Sequence, residues 1–341
     1  MIIDSHAHLV TPDVLYANAA VSLAARGGHG RIPVKLSDED LRVCAERNVA
    51  IMDSVGTDVQ LISPRPYTLM HSQRPPELVH HWVAANNDAI ARSVAMFPSR
   101  LRGVAGLPQV SGAPVSVVFD EIDRCVDELG FVGVLLNPDP SEGQGTVPPL
   151  GDEYWYPLYR KLVERDLPAL IHSASCNNGR EYYYEHFASE ESLAVTSLAR
   201  STVFEDFPGL KLIVSHGGGA IPFQIGRWRA QYAGLSELNK ERNTVTFDDR
   251  LRRLWFDTCV YTKNPLELLF KEIGAERCLF GTEKPGSGSA PDPLTGRDYD
   301  DTRPVIESIE FLTAEQKHAI FEGNARRVFS RLESLVPAGA R

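Results

Sequence analysis

Short apolar, β-branched runs alternate with amphipathic stretches from one end of the chain to the other. The runs read as strands at Ile2–His8, Val59–Pro64, Leu101–Leu107, Phe131–Asn137, Leu167–His172, Leu210–His216, Leu254–Val260 and Cys278–Glu283. Between them apolar residues recur with a 3.6-residue period, which predicts helices over Leu78–Met96, Val115–Leu129, Tyr156–Arg165 and Pro265–Ile273. Two helix starts carry their own caps: Ser37 ahead of Asp38, Glu39 and Asp40, and Thr313 with Gln316 three residues on. Alternation of strand and helix implies parallel βαβ units, and eight of them predict an α/β fold closed into one (β/α)₈ TIM-barrel domain over residues 1–341. An open doubly wound sheet is the alternative. Against it, no G-x-G-x-x-G follows the first run, and the polar residues of interest stand at the C-terminal ends of runs along the whole chain. Closure into a barrel would bring those ends to one face. Two irregular stretches, residues 19–33, rich in Gly and Ala, and residues 286–297, read as loops over the barrel mouth.

With 341 residues, 43% of them hydrophobic, the chain can bury a core without disulfides or structural metals, so a bound metal is expected to be functional. Five cysteines without a C-x-x-C pair make neither a disulfide framework nor a zinc ribbon, and they fit a reducing cytoplasm. No signal peptide and no run long enough for a membrane span is seen. The formal charge of −10 argues against nucleic acid as a partner, while leaving room for an anionic small molecule met by local arginines.

Candidate chemistry sits at the strand ends. His6 and His8, at i and i+2 on the first strand, share a face. His172 ends the fifth strand, His216 the sixth, ahead of Gly217-Gly218-Gly219, and Glu283 the eighth, which closure places beside the first. A single such histidine would more simply be satisfied by a backbone carbonyl. Four converging at one mouth favour a metal site, with His6, His8, His172 and Glu283 as ligands and one divalent ion per chain: Zn²⁺ first, with Mn²⁺ and Fe²⁺ also compatible. Such an ion lowers the pKa of water to roughly 7, which Glu283 would orient or deprotonate while His216 delivers a proton elsewhere. The three glycines would let substrate approach backbone N–H groups, or simply form a helix-entry turn.

These residues also carry a resemblance. Asp4-Ser-His6-Ala-His8, His172, Ser215-His216-Gly217-Gly218, Trp255-Phe-Asp257-Thr258, Phe280-Gly-Thr-Glu283-Lys-Pro285 and Glu322-Gly-Asn324-Ala-Arg-Arg-Val-Phe are similar to motifs of the amidohydrolase superfamily, in the branch that holds aminocarboxymuconate-semialdehyde decarboxylase. The resemblance spans nearly the whole chain and implies a metal-centred barrel. Binuclear members carry a carboxylated lysine at the end of strand four; Leu135-Leu136-Asn137-Pro138 stands here, which implies a mononuclear site. Decarboxylases of the branch place Asp where this chain has Glu283, and the added methylene shifts the carboxylate by about 1.5 Å. Glu283 is therefore open to being a ligand, a base on water, or both.

Within the branch the chain resembles hydratases that add water to an unsaturated oxo-tricarboxylate of aromatic (protocatechuate) catabolism, which implies a polycarboxylate substrate. Arg65, Arg180, Arg229 and Lys284 are then candidate cationic contacts, Asn137 a further contact, and Tyr184, in the run Tyr182-Tyr183-Tyr184 followed by His186, a lid residue or proton donor. Dimeric relatives imply a homodimer. Competing readings are a non-oxidative decarboxylase with the same ligands, a lactone hydrolase, and a non-catalytic barrel with structural histidines.

Overall fold

A computed structural model describes residues 1–25, 34–238 and 245–333. Eight parallel strands follow one another in sequence order around the sheet: β1 (Ile3–His8), β2 (Val59–Ser63), β3 (Leu101–Gly106), β4 (Gly133–Leu136), β5 (Ala169–Ile171), β6 (Leu212–Val214), β7 (Trp255–Asp257) and β8 (Cys278–Leu279). Backbone bonds from Ser5 N–H to Phe280 O (2.8 Å) and from Glu283 N–H to His6 O (2.8 Å) join the last strand to the first. These are the eight runs expected from sequence, each shortened at one end or both, and at the C-terminal ends the chain leaves the ladder to present site residues.

Helices cover the outside. Between β1 and β2 lie α1 (Asp13–Ala24) and α2 (Asp38–Val55), between β2 and β3 lies α3 (Pro76–Met96), and α4 (Phe119–Asp127) and α5 (Tyr156–Glu164) precede β4 and β5. Then come α6 (Tyr183–Ala199) and α7 (Val203–Asp206) before β6, α8 (Ile221–Leu238) and α9 (Phe247–Leu251) before β7, and α10 (Lys263–Glu272) before β8. The chain closes with α11 (Arg303–Glu307), α12 (Ala314–His318), α13 (Asn324–Val328) and α14 (Ser330–Glu333). Ser37 accepts from Asp40 N–H at the start of α2, and Thr313 and Gln316 form a reciprocal capping box at α12, as their spacing predicts. The expected loop over residues 19–33 is partly helix: α1 runs to Ala24 and buries Leu15 and Ala19 against Trp82. Alanine is the strongest helix former, and the alanines before Ala25 carry the helix through the first part of that stretch. Residues 26–33 lie outside the described residues.

Strand alternation sorts the core. Leu135 and Ile213 join Ile3, Leu61, Val104 and Leu279 inside the barrel, while their neighbours Val134, Leu136, Leu212 and Val214 pack under the helices. The inner cluster also takes Ala325, Val328, Phe329 and Leu332 from α13 and α14. The Phe329 ring lies so close to Gly133, the first residue of β4, that a Cβ there would meet it at 2.9 Å. This plug closes the N-terminal end of the barrel and leaves the C-terminal end for chemistry. Among the described residues no helix is long and apolar enough to cross a membrane.

Candidate active site and metal centre

β1 carries one extra residue relative to β2: Asp4 pairs with Gln60 but Ala7 with Ile62. This bulge re-aims His6 beside the site. Four imidazoles then converge on one carboxylate oxygen. Glu283 Oε1 lies 3.7 Å from His6 Nε2, 3.3 Å from His8 Nε2, 3.5 Å from His172 Nε2 and 3.4 Å from His216 Nε2. The ligand atoms of His6, His8, His172 and Glu283 all lie within 4.8 Å of one another, and all four residues are buried.

Each ring is oriented from behind through its Nδ1. His6 faces Asp257 Oδ2 at 2.6 Å, His172 faces Ser173 O at 2.6 Å, and His216 faces Glu191 Oε1 at 2.9 Å. His8 Nδ1 is 2.9 Å from Ser63 Oγ, whose hydrogen is directed to the Ala7 or Pro64 carbonyl. In His6, His8 and His172 the Nδ1 hydrogen is thereby used, and the Nε2 lone pair points into the centre, as in metal-binding histidines. His6 Nε2 and His172 Nε2 are buried with no hydrogen-bond partner. Such orphaned lone pairs are costly unless something binds them, so the donor set fits a divalent cation. Burial drives the pKa of His8 down to about 3 and that of His172 to about 4, favouring neutral imidazoles.

His216 differs. Burial opposes its charge, but Glu191 and Glu283 outweigh it and hold the ring well above its ordinary value. Burial likewise opposes charge on Glu283, yet His216, His172 and His8 keep its carboxyl well below the usual range. The resulting imidazolium–carboxylate pair faces the Phe187 ring, which stacks on His216 at 5.5 Å and 5°. On the other carboxylate oxygen, Tyr261 donates to Glu283 Oε2 at 2.7 Å.

The backbone is held under strain to achieve this. Glu283 has φ 58°, His216 φ 49° and Tyr261 φ 59°, all left-handed for residues with a side chain. Asp4 clamps the turn before Glu283 by accepting from Thr282 N–H (3.1 Å) and Thr282 Oγ1 (2.6 Å), and burial pushes its own pKa up to about 6.

Not every sequence expectation survives. The N–H groups of Gly217, Gly218 and Gly219 donate to Asp257 Oδ1, Ser215 O and His216 O, which leaves none for substrate. These glycines answer to packing instead: a Cβ on Gly218 would meet the Phe256 ring at 2.7 Å, and one on Gly219 the Ala188 carbonyl at 2.3 Å. Arg229, on α8, is engaged by Asp248 and Glu272, and Lys284 Nζ sits 2.7 Å from both Asp298 and Asp300. Both cations are neutralised within the protein. Asn137 is tied to His71, Gln109 and Asp139. Arg180 is exposed in the turn after Asn178. Tyr184 is 66% exposed, whereas Tyr183 packs on Phe187 (4.4 Å) and Tyr67 (5.9 Å). Arg65, whose Nη2 donates to Pro285 O at 3.0 Å, lies near Tyr67 and Tyr183, and its charge favours their ionised forms. Ser63, Ser173, Glu191 and Tyr261 were not singled out from sequence, and Asp257 carried no role, although it ends a strand like the histidines.

An amidohydrolase family profile matches residues 3–331. Over 343 residues the chain is 37% identical to a 2-keto-4-carboxy-3-hexenedioate hydratase of Sphingobium sp. (strain NBRC 103272 / SYK-6), covering 99% of this chain and 98% of that protein. A gamma-resorcylate decarboxylase of Polaromonas sp. (strain JS666 / ATCC BAA-500) is 28% identical over 258 residues, 70% of this chain and 76% of that one. The crystal structure of 4-oxalomesaconate hydratase from Rhodopseudomonas palustris superposes with a TM-score of 0.87 at 36% identity, covering 98% of this chain and 97% of that one.

Proposed function

This chain belongs to the amidohydrolase family, and from that premise we propose that it hydrates 4-oxalomesaconate (2-keto-4-carboxy-3-hexenedioate) to 4-carboxy-4-hydroxy-2-oxoadipate in aromatic catabolism. The full-length similarity to the Sphingobium hydratase supports the substrate, and the convergence of four Nε2 atoms on Glu283 Oε1 carries the chemistry. Members of the family bind a divalent metal. His6, His8 and His172, with Glu283 completing the donor set, would hold one ion, which we take to be Zn²⁺ from the three imidazoles and one carboxylate. Held there, the ion supplies Lewis acidity that makes water nucleophilic near neutral pH.

The chain's own residues do the rest. The substrate double bond is conjugated with a 2-oxo group, so C4 is electrophilic and addition there leaves an enolate that needs a proton at C3. Glu283, kept ionised, takes the proton from the attacking water. His216, kept charged by Glu191 and Glu283, gives its Nε2 proton to C3. The 3.4 Å contact between Glu283 Oε1 and His216 Nε2 lets the proton pass back and restores both groups. Net, one water adds across the double bond. In this reading Arg65 fixes a substrate carboxylate, and the packed Phe187 and Tyr183 rings line the approach to C4. All five cysteines are unpaired, which supports a cytosolic location. Incubation with oxalomesaconate tests the proposal: a product heavier by one water and lacking the C=C bond supports it, and CO₂ release favours decarboxylation instead.

A further inference from the structure

Helix α6 presents two adjacent stripes of side chains. Phe187 and Glu191, one turn apart, reach His216. His186 and Glu190, one residue earlier in each turn and so about 100° round the helix, face a cavity of about 430 Å³, where Asp139 from the loop after β4 meets them. His186 is 1% exposed. Its Nδ1 is held by Glu181 Oε2 at 2.9 Å, while its Nε2 is buried without a hydrogen-bond partner and lies 3.9 Å from Asp139 Oδ2. This repeats the arrangement of His6 with Asp257: a carboxylate fixes the imidazole from behind and leaves a lone pair aimed at further donors. Ligand atoms of Asp139, His186 and Glu190 lie within 4.8 Å of one another. Three carboxylates, Asp139, Glu181 and Glu190, share the cavity wall with one arginine, Arg200.

We propose that Asp139, His186 and Glu190 form a second divalent-cation site, separate from the barrel centre, that takes Zn²⁺ or a similar borderline ion and braces α6 against His216. One imidazole and two carboxylates are suitable donors for such an ion, and His186 with Glu190 at i and i+4 is a spacing by which one helix face can hold it. Asp139 Oδ2 already accepts from Gly143 N–H at 2.6 Å, which fixes the carboxylate and leaves lone-pair capacity for a cation. An ion here would tie the loop after β4 to the helix that supplies Phe187 and Glu191.

The test is calorimetric titration of the one-ion holoenzyme with ZnCl₂, with metal content measured after buffer exchange, on wild type, His186→Ala and Glu190→Gln. Wild type is expected to take up one further ion per chain. Glu190→Gln, an isosteric change at a half-buried position, is expected to weaken that uptake at least 10-fold while keeping the first ion. His186→Ala is expected to abolish it. No second uptake in wild type, or second uptake in Glu190→Gln equal to wild type, overturns the proposal even if His186→Ala fails to fold.

Discussion

His216 Nδ1 lies 2.9 Å from Glu191 Oε1, and Glu191 is fully buried. The ring's other nitrogen, Nε2, is 3.4 Å from Glu283 Oε1. His216 therefore bridges two carboxylates, one on a helix behind the barrel wall and one at the centre of the mouth. In the proposed mechanism the first fixes the ring and its charge, and the second exchanges a proton with it. That division of labour separates His216 from His6, His8 and His172, whose backs face Asp257, Ser63 and Ser173 and whose Nε2 atoms share the centre.

Glu191→Gln keeps the shape of this contact and removes its charge. The variant is expected to lose roughly 10- to 100-fold in kcat with KM little changed, because the imidazolium is needed in the transition state rather than for binding. Steady-state kinetics checks this; a rise in KM alone would mean that Glu191 only props the pocket.

Metal content should follow the same geometry. Alanine at His6, His8 or His172 is expected to strip the central ion, and chelation of the wild type should abolish activity reversibly. Elemental analysis reads the outcome, and stoichiometric metal at the centre of a His6/His8 double variant would remove the site from where these residues place it.

Glu283→Gln is expected to bind substrate yet lower kcat by roughly 10²-fold or more. Tyr261→Phe deletes the 2.7 Å bond to Glu283 Oε2 while leaving the carboxylate itself in place, and should cost less. Equal losses in the two variants would show that holding Glu283 in place, rather than its basicity, carries the rate.

The opposite end of the barrel offers a test of packing that leaves the site untouched. Phe329→Ala empties the plug beneath Gly133 and is expected to destabilise by about 3–5 kcal/mol, lowering the thermal midpoint without moving KM. Denaturant titration with parallel kinetics measures both.

The strands were legible because both faces of a barrel strand are buried, so each reads as an apolar run. The histidines and Glu283 were legible because each interrupts or ends such a run. Other features depend on contacts that no local pattern encodes. Glu191 lies in Ser189-Glu190-Glu191-Ser192, which looks like a solvated helix face, and only the packing of α6 shows which of the two carboxylates meets His216. The run Tyr182-Tyr183-Tyr184 has the same ambiguity: successive residues at the start of a helix point about 100° apart, and the sequence gives no phase. Arg229 and Lys284 looked free because their carboxylate partners lie 14 to 43 positions away along the chain.

The central claim is that water adds across the double bond of oxalomesaconate, with oxygen going to C4 and a proton to C3. Turnover in H₂¹⁸O and in D₂O, read by mass spectrometry and NMR, tests it most directly. The account predicts loss of near-ultraviolet absorbance, one ¹⁸O in the new tertiary hydroxyl, one deuteron at C3 and no gas. Release of CO₂, with no label in a new hydroxyl group, would contradict it.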